Sequence, residues 1–312
     1  MLSGMKRVLW CFAAAVCVTT AWAQYGVSVG KAERPIPAIE RVVIISVDGL
    51  RPDRALLADM PVLRGMLRDG AYTFWAKTTA VAITLPSHTS MVTGVSPGRH
   101  GISWNSDLPL SEQVYPQVPT VMEMAKKAGY TTAMVAGKSK FTTLQKPGTL
   151  THSFVPPPNT GGNEIVVREA VKLIEEHKPE LLFLHFPDVD GTGHGKGWGS
   201  PEQVAAIEKT DTQLGEIMAA LERAGVREST LIILSADHGG AGLSHGADDP
   251  RSRHIPWIAS GPGVRKGFDL TRVGKLDVNT EDTCATTCYV LGLPQQPYFE
   301  GKPIYEAFVD AR

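Results

Sequence analysis

Arg41-Val-Val-Ile-Ile-Ser-Val47 restricts the fold of this chain more than any other segment. Its apolar, largely β-branched residues run without alternation, so a strand built from them must be covered on both faces. Such a strand belongs inside a parallel sheet flanked by helices. Similar runs occupy residues 131–135, 181–186, 231–235 and 255–260, and helical spacing fills 53–69, 118–128, 162–177, 201–224 and 280–291. Strands alternating with helices of this length predict an α/β/α sandwich with a mainly parallel central sheet. Residues 24–40 read as an irregular lead-in, and Pro156-Pro157-Pro158 as a loop too short to divide the chain. Residues 24–312 are therefore expected to form a single domain.

In a sheet of this kind, ligands bind beyond the carboxyl ends of the strands. Asp48-Gly49 follows the first run, Asp188-Val-Asp190-Gly-Thr-Gly-His194 follows residues 181–186 at Pro187, and Asp237-His238 follows residues 231–235 at Ala236, with His245-Gly shortly after. Three separate strands thus deliver carboxylates and imidazoles to one edge. Imidazole nitrogen and carboxylate oxygen suit a divalent cation of the zinc type, and a reactive site keeps one position open. Asp190, His194 and His245 make one such set; Asp48, Asp237 and His238 make a second. Each Asp-Gly pair alone could be a turn, and Asp237 and His238, as neighbours, reach one ion only where the chain bends. His254 competes with His245, which is preferred because the glycine after it allows closer approach. His88, His100, His152, His177 and His185 read as structural.

Residues 82–94 read as an extended segment entering a short helix, with Pro86 in the first turn. Thr84 then stands where amide donors and the helix dipole favour negative charge. Alone, this stretch makes Thr84 or Ser87 a helix cap; beside a metal, Thr84 becomes an activated nucleophile.

The net charge of -1 from 31 Lys+Arg and 32 Asp+Glu argues against bulk attraction to duplex nucleic acid. Lys6 and Arg7, an apolar stretch from residue 8 to 20, and Ala21-Trp22-Ala23 predict a signal peptide over residues 1–23, export to the periplasm or medium, and no stable membrane anchor. Cys284 and Cys288, four apart on an expected helix, are read as either a disulfide or two buried thiols.

In order along the chain, Asp48-Gly49, Thr84-Leu-Pro-Ser-His88, His100-Gly-Ile-Ser-Trp-Asn105, Asp190-x-x-Gly-His194, Asp237-His238-Gly and His245-Gly resemble the alkaline phosphatase superfamily. They are most similar to its type I phosphodiesterase/nucleotide pyrophosphatase branch. The resemblance implies an alkaline phosphatase-like catalytic domain acting on a small-molecule phosphate ester or nucleotide with two divalent ions, zinc by preference. Thr84 would carry a covalent intermediate, Asp190, His194 and His245 would bind the water-activating zinc, and Asp48, Asp237 and His238 the zinc that activates Thr84. Asn105 would donate to a phosphate oxygen. Many members of the branch carry Lys before the nucleophile, where this chain has Ile83. The absence of a modifiable Cys, and of Arg two residues after Pro86, disfavours a sulfatase.

Lys138-Ser-Lys140 follows the run 131–135, and in extended backbone i and i+2 point the same way, so both ammonium groups are expected to bind substrate. The pair resembles one found in threonine-dependent alkaline phosphatases and phosphonoacetate hydrolases. It keeps a phosphomonoesterase or phosphonate hydrolase as the alternative to a phosphodiesterase. A secreted, non-catalytic metal-binding protein is the remaining reading.

Overall fold

The computed structural model describes residues 31–107, 113–246, 249–309 and 311. The expected signal peptide over residues 1–23, with Cys11 and Cys17, lies outside them. Eight strands form one sheet: β1 (Arg41–Val47), β2 (Gly70–Lys77), β3 (Thr132–Ala136), β4 (His152–Phe154), β5 (Leu181–Phe186), β6 (Thr230–Ser235), β7 (His254–Ser260) and β8 (Phe268–Asp269). Their order is β4-β3-β5-β1-β6-β7-β2-β8. β3, β5, β1 and β6 are parallel neighbours, whereas β7 runs antiparallel to both β6 and β2.

β1 lies at the centre, and Val42 to Val47 are buried without a break. Its register pairs Ile45 with Leu184 on one side and Leu234 on the other. Burying each Val or Ile of such a strand contributes roughly 1.5–3 kcal/mol, which favours the centre over either edge. The helices are α1 (Pro52–Leu57), α2 (Pro61–Arg68), α3 (Thr84–Thr93), α4 (Pro97–His100), α5 (Val121–Lys127), α6 (Asn163–His177), α7 (Asp188–Lys196), α8 (Pro201–Arg223), α9 (Pro250–Arg253) and α10 (Asp282–Val290). Among the described residues no helix is long and apolar enough to cross a membrane.

Apart from the short elements β4, β8, α4 and α9, which had no counterpart, the element pattern follows the sequence with three larger differences. The helix expected over residues 53–69 is two helices, because Pro61 opens a new one after extended backbone at Ala58. β2 had no counterpart in the sequence reading, and its pairing with β7 supplies the antiparallel part of the sheet. The glycine-rich stretch after β5 is helix α7 rather than a loop or turn. Cys284 and Cys288 are both free and buried on α10, which settles that pair as thiols.

Candidate metal centre

Four adjacent strands, β3, β5, β1 and β6, end at the same edge, and the residues that follow them converge there. Asp48 leaves β1 and is followed by Gly49 at φ +76. A Cβ at Gly49 would come within 2.9 Å of the Asp190 Cα, so glycine serves both the turn and the approach of α7. α7 carries Asp190 and His194 one turn apart on the same face. Asp237 and His238 follow β6, and the backbone bends enough for both side chains to reach one place: His238 Nε2 lies 3.1 Å from Asp237 Oδ2 and 3.4 Å from Asp48 Oδ1. The side chains of these neighbours therefore do not diverge.

The six predicted ligands fall into the two predicted sets. Asp190, His194 and His245 offer ligand atoms within 4.8 Å of one another, as do Asp48, Asp237 and His238. His254 instead stacks on Trp75 with ring centroids 3.9 Å apart, leaving His245 as the third member of the open set.

The donor atoms fit cations. Nδ1 of His194 donates to Leu243 O at 3.0 Å, that of His245 to Ala82 O at 2.8 Å and that of His238 to Gly239 O at 2.8 Å. With Nδ1 committed, each ring turns its Nε2 toward the centre as the atom free to ligate. The Nε2 atoms of His194 and His245 are 3.1 Å apart, two ligand nitrogens facing each other. Asp48 Oδ1, Asp190 Oδ1 and Asp237 Oδ2 are buried without a hydrogen-bond partner. Orphaned carboxylate oxygens carry a heavy desolvation cost, which a bound cation relieves.

Charge in the centre is unevenly shared. Lys138 Nζ sits 2.6 Å from Asp48 Oδ2 and 2.5 Å from Asp190 Oδ2. Burial opposes ionisation of Asp48, but the Lys138 ammonium and a bond from His185 overcome it and hold its carboxyl well below the usual range. At Asp190 burial and the Asp48 charge push upward, yet the His194 ring 3.4 Å away and Lys138 bring it to about 2. Asp237 is pushed well up by burial and by the Asp48 charge. Burial lowers His238 to about 4, so its ring is neutral near pH 7.

α3 begins at Thr84, preceded by extended Ile83, and all ten of its residues are buried. Thr89 and Thr93 return their hydroxyls to carbonyls one turn back at 2.7 Å, which lets a polar helix sit in the interior. Thr84 Oγ1 lies 3.3 Å from His238 Nε2, at the edge of the buried ligand set. Asn105 Oδ1 accepts from Leu85 N–H at 2.9 Å, tying the amide to the first turn of α3 and leaving its NH2 end as donor. Lys140 Nζ reaches Asn105 O at 2.7 Å and Oδ1 at 3.3 Å. The geometric reason given for the lysine pair is corrected here: Ser139–Leu144 is a 3-10 helix rather than extended chain. Lys138 turns into the carboxylates while Lys140 stands beside Asn105.

Two histidines read as structural are positioning residues. Gly137 N–H donates to His185 Nδ1 at 3.2 Å, so Nε2–H donates to Asp48 Oδ2 at 2.9 Å. His88 Nδ1–H donates to Thr84 O at 2.8 Å, and its Nε2 accepts from Ser46 at 2.7 Å. These bonds orient Asp48 and the first turn of α3. Asp48 and Ser46 lie 137 and 42 residues from these rings, beyond any local pattern, whereas the bond from His88 to Thr84 O reaches back only four residues.

Comparisons with known proteins agree with this geometry. The human catalytic subunit of GPI ethanolamine phosphate transferase 2 is 27% identical over 296 residues, covering 87% of this chain and 29% of that protein. Mouse ectonucleotide pyrophosphatase/phosphodiesterase family member 7 is 24% identical over 270 residues, covering 79% and 58%. The chain thus spans less than two thirds of either curated relative. Murine ectonucleotide pyrophosphatase/phosphodiesterase 5, solved as an inactive threonine-to-alanine form in complex with AMP, superimposes with a TM-score of 0.73 at 17% identity, covering 86% of this chain and 100% of that one. That likeness establishes the alkaline phosphatase-like fold. The model of type I phosphodiesterase / nucleotide pyrophosphatase matches residues 42–252, from the central strand to beyond His245, and the chain belongs to that family.

Proposed function

We propose that this chain is an exported phosphoester hydrolase of the phosphodiesterase/nucleotide pyrophosphatase type, working through a covalent Thr84 intermediate with two divalent cations, preferably zinc. The observation that carries the reading is the placement of the Thr84 hydroxyl, 3.3 Å from His238 Nε2 at the first turn of a buried helix, beside two three-residue ligand sets. Asp48, Asp237 and His238 would hold one cation and Asp190, His194 and His245 the other. Bound there, the pair would supply Lewis-acid charge, lowering the pKa of an attacking hydroxyl and neutralising a leaving oxygen.

The chain's own groups do the rest. Thr84 oxygen gives up its proton and bonds to phosphorus as the leaving oxygen departs with the electrons of its own bond and takes up a proton; water then displaces the threonine, its hydroxyl bonding to phosphorus and its other proton returning to Thr84. The Asn105 amide donates to a non-bridging oxygen, and the first-turn amides of α3 favour the charge gathered there. Thr84→Ala is expected to lower hydrolysis of bis(p-nitrophenyl) phosphate by at least about 10³-fold, with two metals per chain still present by elemental analysis. Full turnover in that variant would overturn the covalent mechanism.

A second reading, phosphomonoesterase or phosphonate hydrolase activity, is favoured by one observation: Lys140 Nζ lies against Asn105, where a further phosphate charge would fall. Lys140→Ala is expected to lower kcat/KM for p-nitrophenyl phosphate about tenfold more than for the diester. Equal losses on both esters would remove this reading.

A further inference from the structure

Beside the metal centre, along the outer side of α7, lies a cavity of about 770 Å3. Lys138, Lys140, Lys196 and Lys209 all line it, and Lys138 also touches the metal-site carboxylates of Asp48 and Asp190. Its two carboxylates are already engaged: Asp107 accepts from Ser139 Oγ at 2.7 Å, and Asp188 from Asn163 N–H at 3.0 Å. Among the described residues Lys209 pairs with Glu164, at 2.8 Å, and both side chains are more than half exposed. An exposed pair of this kind is weak and readily exchanged for another anion.

The helix that borders the cavity is unusual in its residues. Gly191 and Gly195 both line it, one turn apart. Neither has a positive φ. A Cβ at either position would meet nothing within 4 Å. Backbone geometry and packing therefore give no reason for glycine, which weakens a helix relative to alanine. Asp190 and His194 carry ligand atoms on one face of this helix, and the two glycines leave the adjacent stripe as bare backbone. A group leaving the centre can lie directly against that stripe. Lys196 stands six residues beyond Asp190, roughly 9 Å along the axis.

Resting on the hydrolase reading above, we propose that this cavity is a leaving-group subsite. It selects phosphate esters whose leaving group carries a second anion, a phosphate or a carboxylate, that lies over Gly191 and Gly195 and is met by Lys196 and Lys209. The reaction is unchanged in kind. The leaving oxygen departs with the electrons of its bond to phosphorus, and the second anion makes no new covalent bond.

The test uses three methyl aryl phosphodiesters whose leaving phenol carries a nitro, a carboxylate or a phosphonomethyl group, assayed with the zinc-loaded full chain. Comparing variant with wild type on each ester cancels the intrinsic difference between the phenols. Lys196→Ala combined with Lys209→Ala is expected to lower kcat/KM at least tenfold on one or both anionic esters and less than twofold on the nitro ester. Which ester responds identifies the anion. Lys196→Arg with Lys209→Arg is expected to restore most of the loss, and the preference should shrink in high salt. Gly195→Leu, which fills the stripe, is expected to lower turnover of the same anionic esters, with thermal melting confirming the fold. If the alanine variant changes all three esters by the same factor, or none, the subsite is overturned while the hydrolase reading stands. If wild-type protein turns over none of the three, both fall together.

Discussion

The two ligand sets differ in how they are built. Asp48, Asp237 and His238 are fully shielded from solvent and hang from the ends of two adjacent central strands. Asp190, His194 and His245 hang from a nine-residue helix and a loop, and the His194 side chain is 45% exposed. The buried set inherits its geometry from the sheet, and the charge of Asp48 within it is held by Lys138. The open set can exchange ligands and water at small cost to the fold. This difference suits a division of labour in which the inner set fixes Thr84 while the outer set meets substrate and solvent.

The largest expected effect tests whether the charge is stored as described. Lys138 is the ammonium between Asp48 and Asp190, so Lys138→Met leaves two carboxylates facing each other without it. Metal-free protein is expected to lose about 2–4 kcal/mol of stability in urea unfolding, reduced from the fully buried figure because the lysine is partly exposed. Zinc should recover much of that loss by supplying the missing charge. His194→Ala, in the open set, is expected to cost less than about 1 kcal/mol in the same measurement. Similar losses in the two variants would break the comparison.

A smaller effect separates ligand from support. His185→Phe removes the bond to Asp48 Oδ2 while keeping a ring in the aromatic contact with Phe141, 4.2 Å away between centroids. Zinc affinity of the inner set is expected to fall about 10–100-fold, read by competition with a chromogenic chelator. Affinity of the outer set is expected to fall less, by about threefold or under, because His185 bonds Asp48 and none of Asp190, His194 or His245. A uniform fall at both sets would show that His185 supports the whole edge rather than Asp48.

Much of this centre was legible in the sequence because its chemistry sits directly after uninterrupted apolar strands. Val42–Val47 names a buried strand by composition, and Asp48 follows it; β6 and Asp237 repeat the arrangement. What stayed hidden depends on tertiary context. Asp188-Val-Asp-Gly-Thr-Gly-His-Gly-Lys196 contains three glycines and has poor intrinsic helix propensity, yet packing against α8 makes it α7. β2 begins at Gly70, which on sequence alone reads as a helix stop, and only its partner β7 identifies it as a strand. The lysine pair was found for a reason that the backbone does not supply, since a 3-10 turn rather than strand alternation sets the two directions.

The smallest effect provides a control from outside the centre. Glu281, just before α10, is raised to about 7 by burial, with the nearby Asp282 and Glu300 charges adding to the shift. It meets the same penalty as Asp237 but lies in neither ligand set. Its folded pKa exceeds the unfolded value of about 4.5, so the folded state binds the proton more tightly. The stability gained from that proton is complete below about pH 4.5 and is lost as pH rises through about 7. Glu281→Gln keeps the shape without the charge, and is expected to stabilise the protein by about 1–2 kcal/mol at pH 8 and by almost nothing at pH 4.5, after allowing for partial exposure. Thermal melting at the two pH values, with and without zinc, checks this. The gain should be indifferent to zinc, because Glu281 lies in neither ligand set, whereas any zinc dependence would link this carboxylate to the centre and erase the contrast between the two buried carboxyls.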